Sequence, residues 1–140
     1  MAQASSFVEL PISPDVVWQL IGGFDSLPDW LPYIPKSEVS EGGRVRSLAN
    51  PSGEAIIERL MAFDEKARSY SYAILQAPFP VTNYYSTLQV KDAGGGKASR
   101  VEWSGSFTPA GVSDAEATKL FQGIYDDGLK ALADGFNNRR

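Results

Sequence analysis

Glu58 is a carboxylate in an apolar row. In GEAIIERLMAFDE (residues 53–65) the two-residue alternation of a β-strand puts it between Ile56 and Leu60 on one face. A carboxylate in that position faces water, is held by a partner on the next strand, or lines a pocket and handles a ligand or a proton. Arg46 is the partner the sequence offers. If the hairpin around NPSG (50–53) sets Leu48 opposite Ile56, then Arg46 falls opposite Glu58, and both pairs share one face. A guanidinium can neutralise a carboxylate and hold it with two hydrogen bonds. The pair is then either structural or solvated, or it is the polar end of a site, and the sequence is compatible with both. Tyr72, Tyr84 and Glu102 complete the groups able to move a proton. Glu58 would serve as a base if burial raised its pKa, and Tyr84 as a donor to an enolate oxygen. None of these residues stands at the spacing of a catalytic motif.

Composition removes much other chemistry. The chain of 140 residues has no cysteine and no histidine. Disulfides, thiol nucleophiles, thiolate or imidazole metal sites and Ser-His-Asp triads are therefore excluded. No segment resembles a calcium loop, so neither a metal nor a cofactor is expected. The net charge of −4 does not attract a phosphate backbone, and Asn137-Asn138-Arg139-Arg140 is too short to reverse that, so nucleic acid is not an expected partner. A hydrophobic content of 43% fits a folded chain that is neither disordered nor membrane-spanning. MAQASSFVELPISPD lacks a basic segment followed by a long apolar run, so neither a signal peptide nor a membrane span is expected, and the expected location is cytoplasmic. A single domain over 1–140 is expected, as a monomer or a homodimer.

The elements that must position these groups can be read in order. A first strand is expected over 3–11, with Phe7 and Glu9 on one face and Val8 and Leu10 on the other. Ser13, Pro14 and Asp15 form a helix start, Val17, Leu20 and Ile21 a short apolar stripe, and Gly22-Gly23 a stop. Prolines at 28, 32 and 35 leave room for only a one-turn helix. Six strands follow, separated by Gly42-Gly43, NPSG, EKA, APFPVT and AGGGK. On the last, Val101, Trp103, Gly105 and Phe107 share a face, although the Glu102 face remains an alternative inward side. A long helix runs from Ser113 to about Asn137, with Glu116 completing a capping box. Its stripe is Ala117, Leu120, Phe121, Ile124, Gly128, Leu129 and Leu132. Antiparallel hairpins with one apolar-faced helix predict an α+β domain whose sheet curls around that helix.

This order, with PDVVWQLIGGFDSLPDWLPYI, GGRVRSL, IIERL, YSYAIL, APFPVTNYYSTLQV and VEWSGSF, resembles the helix-grip (Bet v 1-like, START-like) superfamily. It looks closest to the bacterial polyketide cyclase/dehydrase-like branch and is distantly similar to plant abscisic-acid receptors. The resemblance implies a curved sheet of seven strands around the terminal helix, with a mostly apolar cavity between them. It implies two loops at the mouth, 48–55 and 76–84. It matches Glu58 to a cavity glutamate in a water network with groups at Tyr84 and Ser86. The receptor lysine that meets a ligand carboxylate falls at Leu31, so an uncharged or weakly polar ligand is implied. On this reading Trp30, Tyr33, Tyr72, Tyr84, Trp103, Phe107, Phe121 and Tyr125 lie near the interior, either filling the core or lining the cavity. Gly123 and Gly128, costly inside a helix, suggest close approach or deliberate space. The expected ligand-binding set is those eight aromatics with Arg46, Glu58, Leu60 and Ser86. The expected function is binding of a hydrophobic or aromatic small molecule, lipid or polyketide-like. The alternative is an aromatase/cyclase- or dehydratase-like enzyme using Glu58 and Tyr84, with Arg46, for proton transfer.

Overall fold

The structure, a computed structural model, describes residues 2–32, 34–49 and 52–138. Strand β1 (Ala2–Leu10) leads into helices α1 (Pro14–Ile21) and α2 (Leu27–Trp30). Strands β2 (Lys36–Ser40), β3 (Val45–Ala49), β4 (Ala55–Asp64), β5 (Ser69–Gln76), β6 (Val81–Asp92) and β7 (Ser99–Pro109) follow. Helix α3 (Asp114–Asn138) completes the order. The seven strands form one antiparallel sheet in the order β1-β7-β6-β5-β4-β3-β2. This is the α+β domain that the element order predicts and the helix-grip architecture that the resemblance implies.

Local chemistry accounts for the helices. The Ser13 hydroxyl accepts from the Val16 N–H at 3.4 Å, and the Gly22 N–H closes α1 on the Trp18 carbonyl at 2.7 Å. The apolar side of α1 buries Val17, Trp18 and Ile21. Helix α3 starts with the Glu116 N–H donating to the Ser113 hydroxyl at 3.1 Å. Its buried stripe is Ala117, Phe121, Tyr125, Leu129, Leu132 and Phe136. Leu120 departs from the expected stripe and is exposed. One residue along an α-helix is about 100° around its axis, so Leu120 turns away from the sheet that Phe121 faces.

The sheet register puts the polar pair together. Leu48 pairs with Ile56 and Arg46 with Glu58, as the hairpin reading requires. The turn before β3 needs a left-handed backbone, with φ of +71° at Gly42 and +85° at Gly43. A shift in the β4–β5 register between Leu60 and Ala62 bulges Met61 out and brings Phe63 to 5.6 Å from the Trp18 ring. On β7 the Trp103 face points inward, with Val101, Trp103 and Phe107 buried. Glu102 lies on the outer face, bonded to Lys91 at 2.9 Å and Arg100 at 2.7 Å. Those hydrogen bonds hold its carboxyl below the usual range. Glu102 is thereby removed from the interior proton-transfer groups, because a one-residue step along a strand reverses the face.

Candidate functional site

Between the inner face of the sheet and α3 lies a cavity of about 230 Å³. Its walls are mainly apolar. Leu27, Leu31 and Ile34, in and after α2, close one side, and Leu48, Ile56 and Ile74 come from β3, β4 and β5. Phe79 from the β5–β6 loop and Phe121 and Ile124 from α3 cover the helix side. Tyr72, Tyr84 and Trp103 add aromatic surface, and Arg46 and Glu58 form the charged end. Such a cavity, apolar with a few placed polar groups, is what a small-molecule site requires.

Arg46 is 1% exposed, and its guanidinium is hydrogen-bonded within the protein. Nε donates to Glu58 Oε1 at 2.8 Å, and Nη1 donates to the Phe24 carbonyl at 3.0 Å and the Tyr70 hydroxyl at 3.3 Å. The cation lies over the Phe24 ring at 4.2 Å and the Tyr72 ring at 4.7 Å. Burial disfavours its charge, but Tyr70 and Glu58 outweigh that, and Arg46 stays protonated. Burial pushes the Glu58 carboxyl above its ordinary range, with Arg46 opposing.

A second polar cluster sits beside the first. Trp103 Nε1 donates to the Tyr72 hydroxyl at 3.1 Å and to Ser86 Oγ at 3.2 Å. Ser86 donates onward to the Ser104 carbonyl at 2.7 Å. The Tyr84 and Tyr125 hydroxyls bond to each other, with the Ser86 hydroxyl beside both. Gly105 makes room for this, since a Cβ there would overlap the Tyr125 hydroxyl. Burial lifts Tyr72 and Tyr84 well above the usual phenol range and Tyr125 to about 12, so all three are neutral phenols at physiological pH.

Of the residues singled out from sequence, Arg46, Glu58, Tyr72, Tyr84, Trp103 and Phe121 line the cavity. Ser86 and Tyr125 stand behind that wall, bonded to Trp103 and Tyr84. Trp30 packs 5.9 Å from the Trp103 ring and Phe107 4.7 Å from the Phe121 ring, both outside the lining. Leu60 is half-buried against the core and does not reach the cavity. Tyr33 lies outside the described residues, as do Asn50 and Pro51 of the first mouth loop. The second loop supplies Phe79, whose ring stands 5.4 Å from Phe121. The apolar wall residues Leu27, Ile34, Ile74, Phe79 and Ile124 were not anticipated. Ile124 sits one turn from Phe121 on the apolar side of α3, and that spacing was the available signal.

Gly123 behaves differently from the expectation. A Cβ at Gly123 would meet nothing within 4 Å, and α3 walls the cavity with Phe121 and Ile124 instead. Gly123 therefore creates no cavity space. Gly128 is buried. Among the described residues no three carboxylates converge to hold a metal ion, and no helix is long and apolar enough to cross a membrane.

Residues 1–136 match the family model described as polyketide cyclase / dehydrase and lipid transport. The chain belongs to this family. A solved structure of the protein XoxI from Bacillus cereus is similar at 62% identity, covering 97% of this chain and 96% of that one, with a TM-score of 0.95. A putative uncharacterised protein from Bacillus thuringiensis matches at 61% identity over 96% of this chain and 98% of its own, with a TM-score of 0.94. A START superfamily protein from Mycobacterium smegmatis shares the fold at a TM-score of 0.82 with 16% identity, over 100% of both chains. In this chain the cavity described above is bounded by both the sheet and α3.

Proposed function

We propose that the protein is a single domain that binds a small, uncharged, hydrophobic or aromatic molecule, lipid or polyketide-like, between the sheet and α3. The observation that carries this is the state of the one charged group that could recruit an anion. Arg46 faces the cavity but is bonded to Glu58, Phe24 and Tyr70, so its charge is already matched inside the protein. The rest of the lining is aliphatic or neutral aromatic. A charged ligand would lose its hydration without gaining a free counter-ion. Leu31, 2% exposed, presents an apolar surface and adds no anchor for a carboxylate. The cyclase-like alternative needs Glu58 to accept a proton from substrate, and in this arrangement that carboxylate is held by Arg46.

Denaturing the purified protein and analysing the released small molecules by mass spectrometry tests this reading. A discrete neutral hydrophobic compound, released in proportion to protein, is the expected result. Release of a carboxylate or phosphate compound would overturn the claim of an uncharged ligand. Protein that releases nothing and also fails to take up neutral naphthalene-sized probes would overturn the claim of a ligand cavity.

A further inference from the structure

The polar groups on the cavity wall do not balance. Arg46 Nε is bonded to Glu58 Oε1, and Arg46 Nη1 to the Phe24 carbonyl and the Tyr70 hydroxyl. The single N–H of Trp103 is shared between Tyr72 and Ser86. Tyr84 is bonded to Tyr125, and Ser86 spends its proton on the Ser104 carbonyl. Tyr72 has a donor left over. Its oxygen receives the Trp103 N–H, yet among the described residues its own proton has no acceptor. A phenol carries one donor and can accept, so receiving a bond satisfies only half of it. Tyr72 is 3% exposed and lines the cavity. A second buried donor stands close behind. Trp30 Nε1 has no partner among the described residues, and its ring packs against Trp103. Tyr72 and Trp30 thus leave two buried donors beside the cavity without an acceptor among the described residues.

We propose that the cavity selects a ligand bearing an uncharged hydrogen-bond acceptor, a carbonyl oxygen, and that the Tyr72 hydroxyl donates to it. The inference rests on the small-molecule reading above and narrows its ligand class. A carbonyl supplies the missing acceptor without bringing charge into a site whose one cation is already paired. A carboxylate would supply acceptors too, but it would place a second negative charge in the same cavity as Glu58. A pure hydrocarbon would fill the volume and leave the Tyr72 proton unsatisfied, which carries a desolvation cost.

Two probes of matched shape separate these cases: 2-acetylnaphthalene, with a carbonyl, and 2-isopropenylnaphthalene, its hydrocarbon counterpart. Affinities are measured by calorimetry on the wild-type protein, on Tyr72→Phe, and on Tyr85→Phe, an exposed tyrosine outside this cavity. The carbonyl stretch of a ¹³C-labelled ketone is recorded in each. The expected result is about fivefold or greater preference for the ketone in wild type, the scale of one net hydrogen bond. Its carbonyl stretch should fall below the value in alkane solvent. Tyr72→Phe should remove most of the preference and return the stretch toward the alkane value, while hydrocarbon affinity stays within about twofold. Tyr85→Phe should change neither. Equal binding of both probes with an unshifted carbonyl would overturn the acceptor inference and leave the small-molecule reading standing. A shifted carbonyl that survives Tyr72→Phe would overturn the assignment to Tyr72. Failure of both probes to bind would overturn the small-molecule reading and the inference with it. The wild-type spectrum answers the acceptor question even if Tyr72→Phe does not fold.

Discussion

Glu58 is buried to 6% exposure with Arg46 as its one hydrogen-bond partner among the described residues, and this sets a sign for its effect on stability. Burial raises its carboxyl pKa in the folded state above the ordinary 4.5, although Arg46 works the other way. The folded protein therefore holds the Glu58 proton to higher pH than the unfolded chain does. Stability is then greatest, for this group, below its unfolded value and declines as pH rises through the folded pKa. Glu58→Gln removes the titration. It also replaces the carboxylate beside Arg46 by a neutral amide, so the slope with pH is the diagnostic and not the offset. Urea denaturation of both proteins across a pH series should show the wild-type advantage shrinking as pH rises above 4.5. An advantage that stays constant or grows with pH would mean that the Arg46 attraction outweighs burial.

At the scale of elements, β7 and α3 meet through a contact that only glycine permits. The Tyr125 hydroxyl occupies the space a Cβ at Gly105 would need, whereas the Tyr125 ring carbon behind it would sit at 3.4 Å, close to ordinary contact. Gly105→Ala should cost about 1–3 kcal/mol, the usual range for forcing extra volume into a packed core. In a Tyr125→Phe background the obstructing oxygen is gone, and the same change should cost under about 1 kcal/mol. Additive costs in a denaturation cycle would show that the clash is not with the hydroxyl. The sequence disclosed part of this arrangement. Alternation placed Gly105 in the inward row of β7, and it set Arg46 across from Glu58 because a strand pair with one apolar face tolerates a single register. It could not disclose that Tyr125 would turn its hydroxyl toward Tyr84, since that depends on how α3 crosses the sheet. Leu120 shows the same limit on the helix. Its residue type suits the stripe, but its angular position beside Phe121 carries it to the surface. Phe79 was legible only as part of a loop, because a segment with two flanking prolines has no periodicity from which to read a side chain's direction.

At the scale of the whole molecule, the inner face of the sheet, α3, the segment through α2 and the β5–β6 loop leave a space of about 230 Å³ between them. Unfilled space of that kind costs packing energy, so a ligand that fills it should stabilise the fold, by about 2.7 kcal/mol at a hundred times its dissociation constant. Two substitutions on α3 separate the cavity from the helix that bounds it. Ile124 lines the cavity, so Ile124→Trp should occupy part of the volume and lower the affinity for naphthalene-sized probes by about tenfold, as cores and pockets at native density resist extra volume. Gly123, its neighbour, faces open space. Gly123→Ala should leave probe affinity unchanged and stabilise the protein by about 0.5–1 kcal/mol, through helix propensity alone. Calorimetric titration and thermal unfolding on the two variants check both statements. Equal loss of binding in the two would place the ligand along the whole exposed side of α3 instead of beneath it, and no loss in either would move the site away from the cavity.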